Sequence, residues 1–431
     1  MKKILAVGIS LLCAGLTFAG GIENKTNMST GYLRNPSRNT ENKRPEAAFY
    51  NIAGTAFMKD GLYIELGNQF IVKEYKNELK AMGTSYNDET FVYLYPNADI
   101  VYKHDRWAAF ANFGIYAGGG KLEYTEGTAI TTAIFGKKAT EAGTAAAQYG
   151  AAGDTVSAGK YKALATALGG AANDHSFEVN SITYGWQLGG AYALTDFISV
   201  GAAFRLTYGT QTLKVTSAAL TTVNGGDEIS YNSSAVGVTG VFGLHAKPID
   251  GLDLAGQFAW RSKMNYKLSD VKGTLTPSLL AGDEYRTDLA PVLNVGAGYR
   301  VIDPLYVSTS FNFYFNKLAD MNTALGSNDY NNSFEIALGA DYDIAKPVTA
   351  SLGFAYGNQG VTEDSNNVFN PVLDSIQVGG GVEIRPIDDL TLTGGVTWVN
   401  YFKKNYADGA IELSKPLLLM FAIGATYRFG L

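Results

Sequence analysis

Between Leu305 and Asn316 the chain alternates with a period of two. Leu305, Val307, Phe311, Phe313 and Phe315 fall on one side, and Tyr306, Ser308, Ser310, Asn312 and Asn316 on the other. That is the period of a β-strand with one apolar face. The split recurs at 334–342, at 376–385 and from Leu417 to Leu431. About fourteen such segments are legible: 62–75, 90–102, 107–118, 177–194, 197–214, 233–247, 251–266, 285–301, 304–317, 332–344, 347–357, 374–386, 389–403 and 414–431. Most exceed the roughly 5–6 residues of a soluble-sheet strand. They suit a tilted membrane strand, which needs ~9–11 residues in hydrocarbon plus its ends.

The connections alternate in length. Tight turns such as Lys103–Arg106, Thr195-Asp196, Ile302–Pro304 and Ala345-Lys346 alternate with longer loops at 76–89, 119–176, 215–232, 267–284, 318–331, 358–373 and 404–413. Short turns at one end and long loops at the other, on an even strand count, describe an outer-membrane barrel. Lipid permits a sheet only when it closes and pairs every backbone group. The expected fold class is therefore all-β, a transmembrane antiparallel barrel of about 14 strands. Its apolar face is outside, and its polar, glycine-rich face lines the lumen.

Composition agrees. Charged residues are 17%, aromatics 12%, glycine 50 and proline 11 of 431. Disordered chains are poor in aromatics and rich in charge and proline, so that class is excluded. The single Cys, Cys13, excludes a disulfide framework. Lys2 and Lys3, the apolar run Ile4–Leu16 and Thr17-Phe18-Ala19 read as a signal peptide, residues 1–19. Lipidation at Cys13 is the rival, but Leu12 before it is not small. Without Lys2 and Lys3 the chain has 32 basic residues against 40 acidic, which argues against nucleic acid.

Residues 20–60 break the strand pattern. They are rich in Asn and end in a weakly apolar stretch from Ala47 to Phe57. They read as a plug in the lumen or as a disordered tail. The expected domains are 1–19 signal peptide, 20–60 plug and 61–431 barrel. Gly424, Tyr427 and Phe429 stand at the spacing of a barrel-assembly signal, with Leu431 in the terminal position.

Short motifs stand in order along the chain and together resemble those of a known family. Ser29-Thr30-Gly31 and Asn51-Ile52-Ala53 lie in the plug, the latter similar to the family's Asn-Pro-Ala. Tyr95-Pro96-Asn97 resembles Val-Pro-Asn in the second strand, and Trp260–Lys263 resembles Tyr-Arg-Ser plus a charge in the seventh. Asp303-Pro304 makes the next tight turn, and Ile336–Gly339 opens a later strand. Together these motifs resemble the FadL/TodX-type outer-membrane transporters of long-chain fatty acids and other hydrophobic compounds. Two departures stand out. Ile52 replaces the motif's proline, and the longest loop lies between strands three and four rather than further along.

The resemblance implies passive transport of fatty acids or other hydrophobic small molecules across a Gram-negative outer membrane. Its partners are the ligand and membrane lipid. It implies no cofactor and demands no more than a monomer. It places the gate at Asn51, Ile52 and Ala53, with the plug resting near a kink in the third strand. By alternation Glu65, Arg205, Arg261, Arg300, Glu335, Asp341, Glu383, Arg385 and Arg428 face the lumen, mostly as a wall-to-plug ion network. Arg205, Arg261 and Arg300 are candidates for a ligand carboxylate, because the guanidinium fork matches it.

In the loop 119–176, Ala163–Leu168 reads as a short helix. Ile130, Ile134, Phe135, Tyr149, Tyr161, Leu164 and Leu168 either line a ligand groove or pack the loop onto the barrel mouth. His104, His175 and His245 have no motif that pairs them with a catalytic partner, and an enzyme is not expected. No metal site is expected. A surface adhesion or binding barrel and a general diffusion porin are the alternative functions.

Overall fold

The computed structural model describes residues 24–430 except 89, 222–224, 274–279, 324–325, 328–329, 362–370 and 407. The expected signal peptide and Leu431 lie outside the described residues. Fourteen antiparallel strands form one closed barrel. They are β1 (Gly61–Leu79), β2 (Val92–His104), β3 (Trp107–Tyr124), β4 (Ser176–Ala193), β5 (Ile198–Thr216), β6 (Glu228–Ala246) and β7 (Leu252–Ala259, resuming as Asn265–Lys272). Then come β8 (Val292–Ile302), β9 (Leu305–Tyr314), β10 (Ser333–Ala345), β11 (Val348–Asn358), β12 (Ser375–Ile387), β13 (Leu390–Tyr401) and β14 (Ile411–Phe429). β14 closes on β1 from Leu62–Phe429 to Leu79–Ile411. Closure leaves no free edge along this seam, as hydrocarbon requires.

The alternation expected from sequence is the alternation of the wall. Leu66, Leu188, Phe242, Leu352 and Ile423 point outward and are each more than 60% exposed. Trp107, Tyr192, Phe197, Tyr299 and Phe429 ring the short-turn end, and Tyr93, Trp260 and Phe402 stand toward the loop end. Aromatic rings at both edges of an apolar band mark a lipid-facing surface. Beyond the band the strands carry outward ion pairs, among them Lys121–Glu178 and Lys214–Glu228. Those charges belong in water.

The lumen is filled, not open. Residues 24–60 enter it and fold into α1 (Thr30–Arg34), α2 (Ala47–Tyr50) and a 3-10 turn, Ile52–Phe57. Ser29 caps α1 by accepting from the Tyr32 N–H. Glycines on the inner wall admit this segment. Gly201 and Gly243 are register partners on β5 and β6, and a Cβ on Gly243 would lie 2.7 Å from Ile52 Cγ1.

The loop between β3 and β4 departs from expectation. Instead of one short helix at 163–168 it forms a helical hairpin, α3 (Ala129–Ala151) and α4 (Thr155–Asn173). Alanine-rich sequence favours helix. Thr128 and Thr131 close a capping box on α3, and Asp154 caps α4. The hairpin base packs into an apolar cluster with Leu122, Phe177 and Leu220 at the outer end of the barrel.

Candidate functional site

The barrel wall is unevenly sewn. β2 pairs with β3 only from His104–Trp107 to Ala98–Phe113. Beyond that, Val92–Asn97 still follow β1, while β3 follows β4 through register shifts at Ile115/Ala117 and Gly118/Gly120. Gly118 and Gly120 have φ of 80° and 83°, a region that favours glycine. They bend β3 away from β2 and open a window in the wall. Tyr95 N–H points to Asn68 on β1 (2.9 Å). The next N–H would point into the window, and Pro96 has none to leave unpaired. Tyr95 OH reaches across to the Ile115 carbonyl (3.2 Å), and Glu123 N–H meets Asp88 (2.7 Å) at the upper margin.

Behind the window lies a cavity of about 200 Å³, bounded by Gly118–Gly120, Tyr95, Lys73, Glu335 and the start of the plug. A cavity of about 30 Å³ lies alongside, against Arg205, Phe49 and Tyr116. Lys25, Thr26, Tyr32 and Tyr314 border both.

The plug is held at two places. Arg34 pairs with Asp341 (2.9 Å) and Glu383 (3.1 Å), and Arg44 and Arg385 also converge on Glu383. Arg38 pairs with Glu46 (2.8 Å) inside the plug. On the opposite wall Asn51 meets His245 Nδ1 (2.7 Å), and His245 Nε2 lies 2.9 Å from Asp253. Ile52 N–H donates to Gln257 (3.0 Å), a bond that the family motif's proline would lack, and Ser199 donates to the Ala53 carbonyl (2.7 Å). Asn51, Ile52 and Ala53 are thus brought together against β5–β7.

The three candidate arginines are not together. Arg205 is buried, accepts no carboxylate partner among the described residues, and stacks its guanidinium 4.5 Å from the Tyr116 ring centre. Its Nε donates to Gln187 (2.9 Å). Arg300 lies at the short-turn end, 3.7 Å from Asp343. Arg261 lies where β7 is interrupted. β7 breaks between Ala259 and Asn265, burying Ser262 and Met264, and Arg261 lies beside Asp288 (3.6 Å) and Asp320 (3.8 Å).

Of the hairpin residues, Phe135, Leu164 and Leu168 are buried in the outer cluster, with Ile130, Ile134 and Tyr161 partly buried against it. Tyr149 stacks on Tyr161 at 5.2 Å. His175, at the hairpin base, packs on Phe135 and meets Thr131; burial pushes its imidazole down to about 4. The functional residues missed in the sequence are Arg34, Arg38 and Arg44, and the window itself. Gly118-Gly119-Gly120 was the one local signal for the window.

No protein-family profile and no curated protein matches the sequence. Solved structures do match the fold. A Pseudomonas aeruginosa FadL homologue aligns at 12% identity over 95% of this chain and 100% of its own, with a TM-score of 0.66. The Pseudomonas putida toluene transporter TodX aligns at 15% identity over 94% and 98%, with a TM-score of 0.64. The Ralstonia pickettii toluene transporter TbuX aligns at 13% over 92% and 98%, with a TM-score of 0.58. The chain is a plugged fourteen-stranded transmembrane barrel of the FadL/TodX-type fold.

Proposed function

We propose that the protein is a passive channel for small hydrophobic molecules in the outer membrane of a Gram-negative bacterium. In this reading residues 1–19 are a removed export signal, 20–60 a plug that shuts the axial path, and 61–431 the barrel. The ligand enters beside the α3/α4 hairpin, waits in the larger cavity and leaves sideways through the window into lipid. One observation carries the reading: the cavity of about 200 Å³ abuts the unsewn stretch between β2 and β3. An apolar molecule gains nothing from a watery exit, and a lateral one spares it from water. A cavity of ~150 Å³ accepts benzene, so by volume this one, walled by Tyr95, Tyr401, Leu418 and Met420 but also by Lys73 and Glu335, suits a single aromatic ring. The toluene transporters of the same fold lend support.

A second reading, fatty-acid transport, rests on Arg205. A carboxylate head would meet its guanidinium in the smaller cavity, with the chain lying in the larger one.

Proteoliposome flux tests both. Toluene should enter vesicles containing the intact protein while glucose stays out, and deletion of 20–58 should admit glucose. Free glucose flux through the intact protein would mean an open porin instead. Oleate uptake that Arg205→Ala reduces at least tenfold would favour the second reading.

A further inference from the structure

Glu335 stands apart from the other acids of the lumen. It sits on β10, between Asn312 on β9 and Gly357 on β11. Its carboxyl takes three hydrogen bonds, from Thr26 (3.2 Å), Tyr32 (3.3 Å) and Asn312 (3.2 Å), all neutral donors at the long end of the range. Among the described residues no cation pairs with it, whereas Asp341 and Glu383 each meet arginine. Glu65 and Asp99 also lack a cation partner among the described residues, but they are buried and border neither cavity. Glu335 is only partly buried and opens into the larger cavity.

A carboxylate that only neutral donors meet still attracts a cation or a further donor, and the more so once a ligand displaces water from the cavity. Tyr32 and Tyr314 stand in the same cavity. Ring faces attract a cation that the carboxylate also attracts, and a phenol O–H would donate to the same oxygen. Lys25, Lys73 and Lys415 border the cavity, and among the described residues none of them forms an ion pair with Glu335. Lys73 is held by Asp88 (3.4 Å) and the Lys121 carbonyl (2.7 Å), and Lys415 lies over the Tyr75 and Tyr401 rings.

We infer that Glu335 reads the polar end of the cargo, so that the channel takes small apolar molecules carrying one hydrogen-bond donor, a phenolic hydroxyl or a protonated amine. This rests on the small-molecule reading above. A bare hydrocarbon offers Glu335 neither a cation nor a further donor, and an anionic head meets like charge.

Four probes of matched size separate the cases: p-xylene, 4-methylphenol, 4-methylbenzylamine and 4-methylbenzoate. Calorimetry on the purified, heat-modifiable protein gives their affinities. The phenol and the amine should bind at least tenfold tighter than p-xylene and the benzoate. Glu335→Gln keeps an acceptor but loses the charge. It should weaken the amine at least tenfold and the phenol less than threefold. Glu335→Leu should weaken both donors and spare p-xylene.

Tighter binding of p-xylene, or of the benzoate at the lysine end, overturns the inference and leaves the small-molecule channel standing. A parallel loss of all four probes in Glu335→Gln also overturns it, because Glu335 would then be seating the plug. Absence of binding by any probe to the wild-type protein overturns the channel reading and this inference with it.

Discussion

Asn51 of the plug donates its side-chain N–H to Nδ1 of His245 on the barrel wall, 2.7 Å away, although 194 residues separate them. The same amide group donates to the Glu41 carbonyl (3.0 Å), and its oxygen accepts from Gly54 N–H (3.2 Å). An acceptor at Nδ1 sets the His245 tautomer, so Nε2–H is left to donate to Asp253. One side chain therefore shapes the 3-10 turn and fastens it to the wall. Asn51→Leu should remove these bonds at a cost of about 1–3 kcal/mol for each buried group left unpaired. The barrel should still fold and show heat-modifiable migration, while planar-bilayer recordings gain small-ion conductance. Recordings as quiet as wild type would show that Asn51 does not hold the plug.

Glu383 is the hub on the other side. Three guanidiniums converge on it, Arg34 and Arg44 from the plug and Arg385 from its own strand. Removing one partner of a buried ion pair typically costs ~3–5 kcal/mol. That cost falls on the plug, because the strand pairing of β12 is backbone bonding. Glu383→Gln should make residues 24–60 sensitive to protease added from the short-turn side and should raise ion leak. Asp389→Asn, which breaks an exposed pair with Arg428 (2.6 Å), should do neither. Equal protease resistance in both variants would refute the hub.

The window predicts a contrast between neighbouring glycines. A Cβ on Gly119 meets nothing within 4 Å, so a large side chain fits without clash and should obstruct the opening. A Cβ on Gly118, at φ 80°, would lie 2.4 Å from the Ser181 carbonyl oxygen. Gly119→Trp should fold normally and slow toluene uptake at least fivefold. Gly118→Ala should lower the unfolding temperature, since left-handed backbone costs a side chain roughly 1–2 kcal/mol before the clash is added. Undiminished uptake by Gly119→Trp would place the exit elsewhere.

What the sequence disclosed follows the range of each interaction. Wall alternation is local, so Val307, Phe311 and Phe313 declare the outer face of β9 unaided. Turn lengths are local as well, and they give the strand count and polarity. The plug's fastenings are not local. Nothing near Arg34 reveals Glu383, which only closure of the barrel brings to 3.1 Å. Alternation assumes an unbroken strand, so it does not disclose the break in β7 beside Arg261 or the pairing of Arg261 with Asp288 and Asp320. The sequence discloses only part of the hairpin, because glycines at 136, 143, 150, 159, 169 and 170 weaken a helix reading. In the folded protein some of them let the two helices approach: a Cβ on Gly169 would sit 3.9 Å from Ala139 Cβ.

His175 makes the hairpin sensitive to acid. Its ring fills the space beside Gly127, where a Cβ would fall 2.0 Å from Nε2, and it packs against Phe135. Burial lowers its folded-state value to about 4, from 6.5 when the hairpin is released. Below 6.5 the released form binds a proton that the packed form refuses. Stabilisation is therefore complete above about pH 6.5 and declines as pH falls toward 4, by about 1.4 kcal/mol per unit at most. Hydrogen exchange across 129–173, corrected for its intrinsic pH dependence, should be faster at pH 5 than at pH 7.5. His175→Gln should abolish the difference while leaving exchange in β5 and β6 unchanged. Equal protection at the two pH values in the wild-type protein would rule His175 out as the acid-sensitive group.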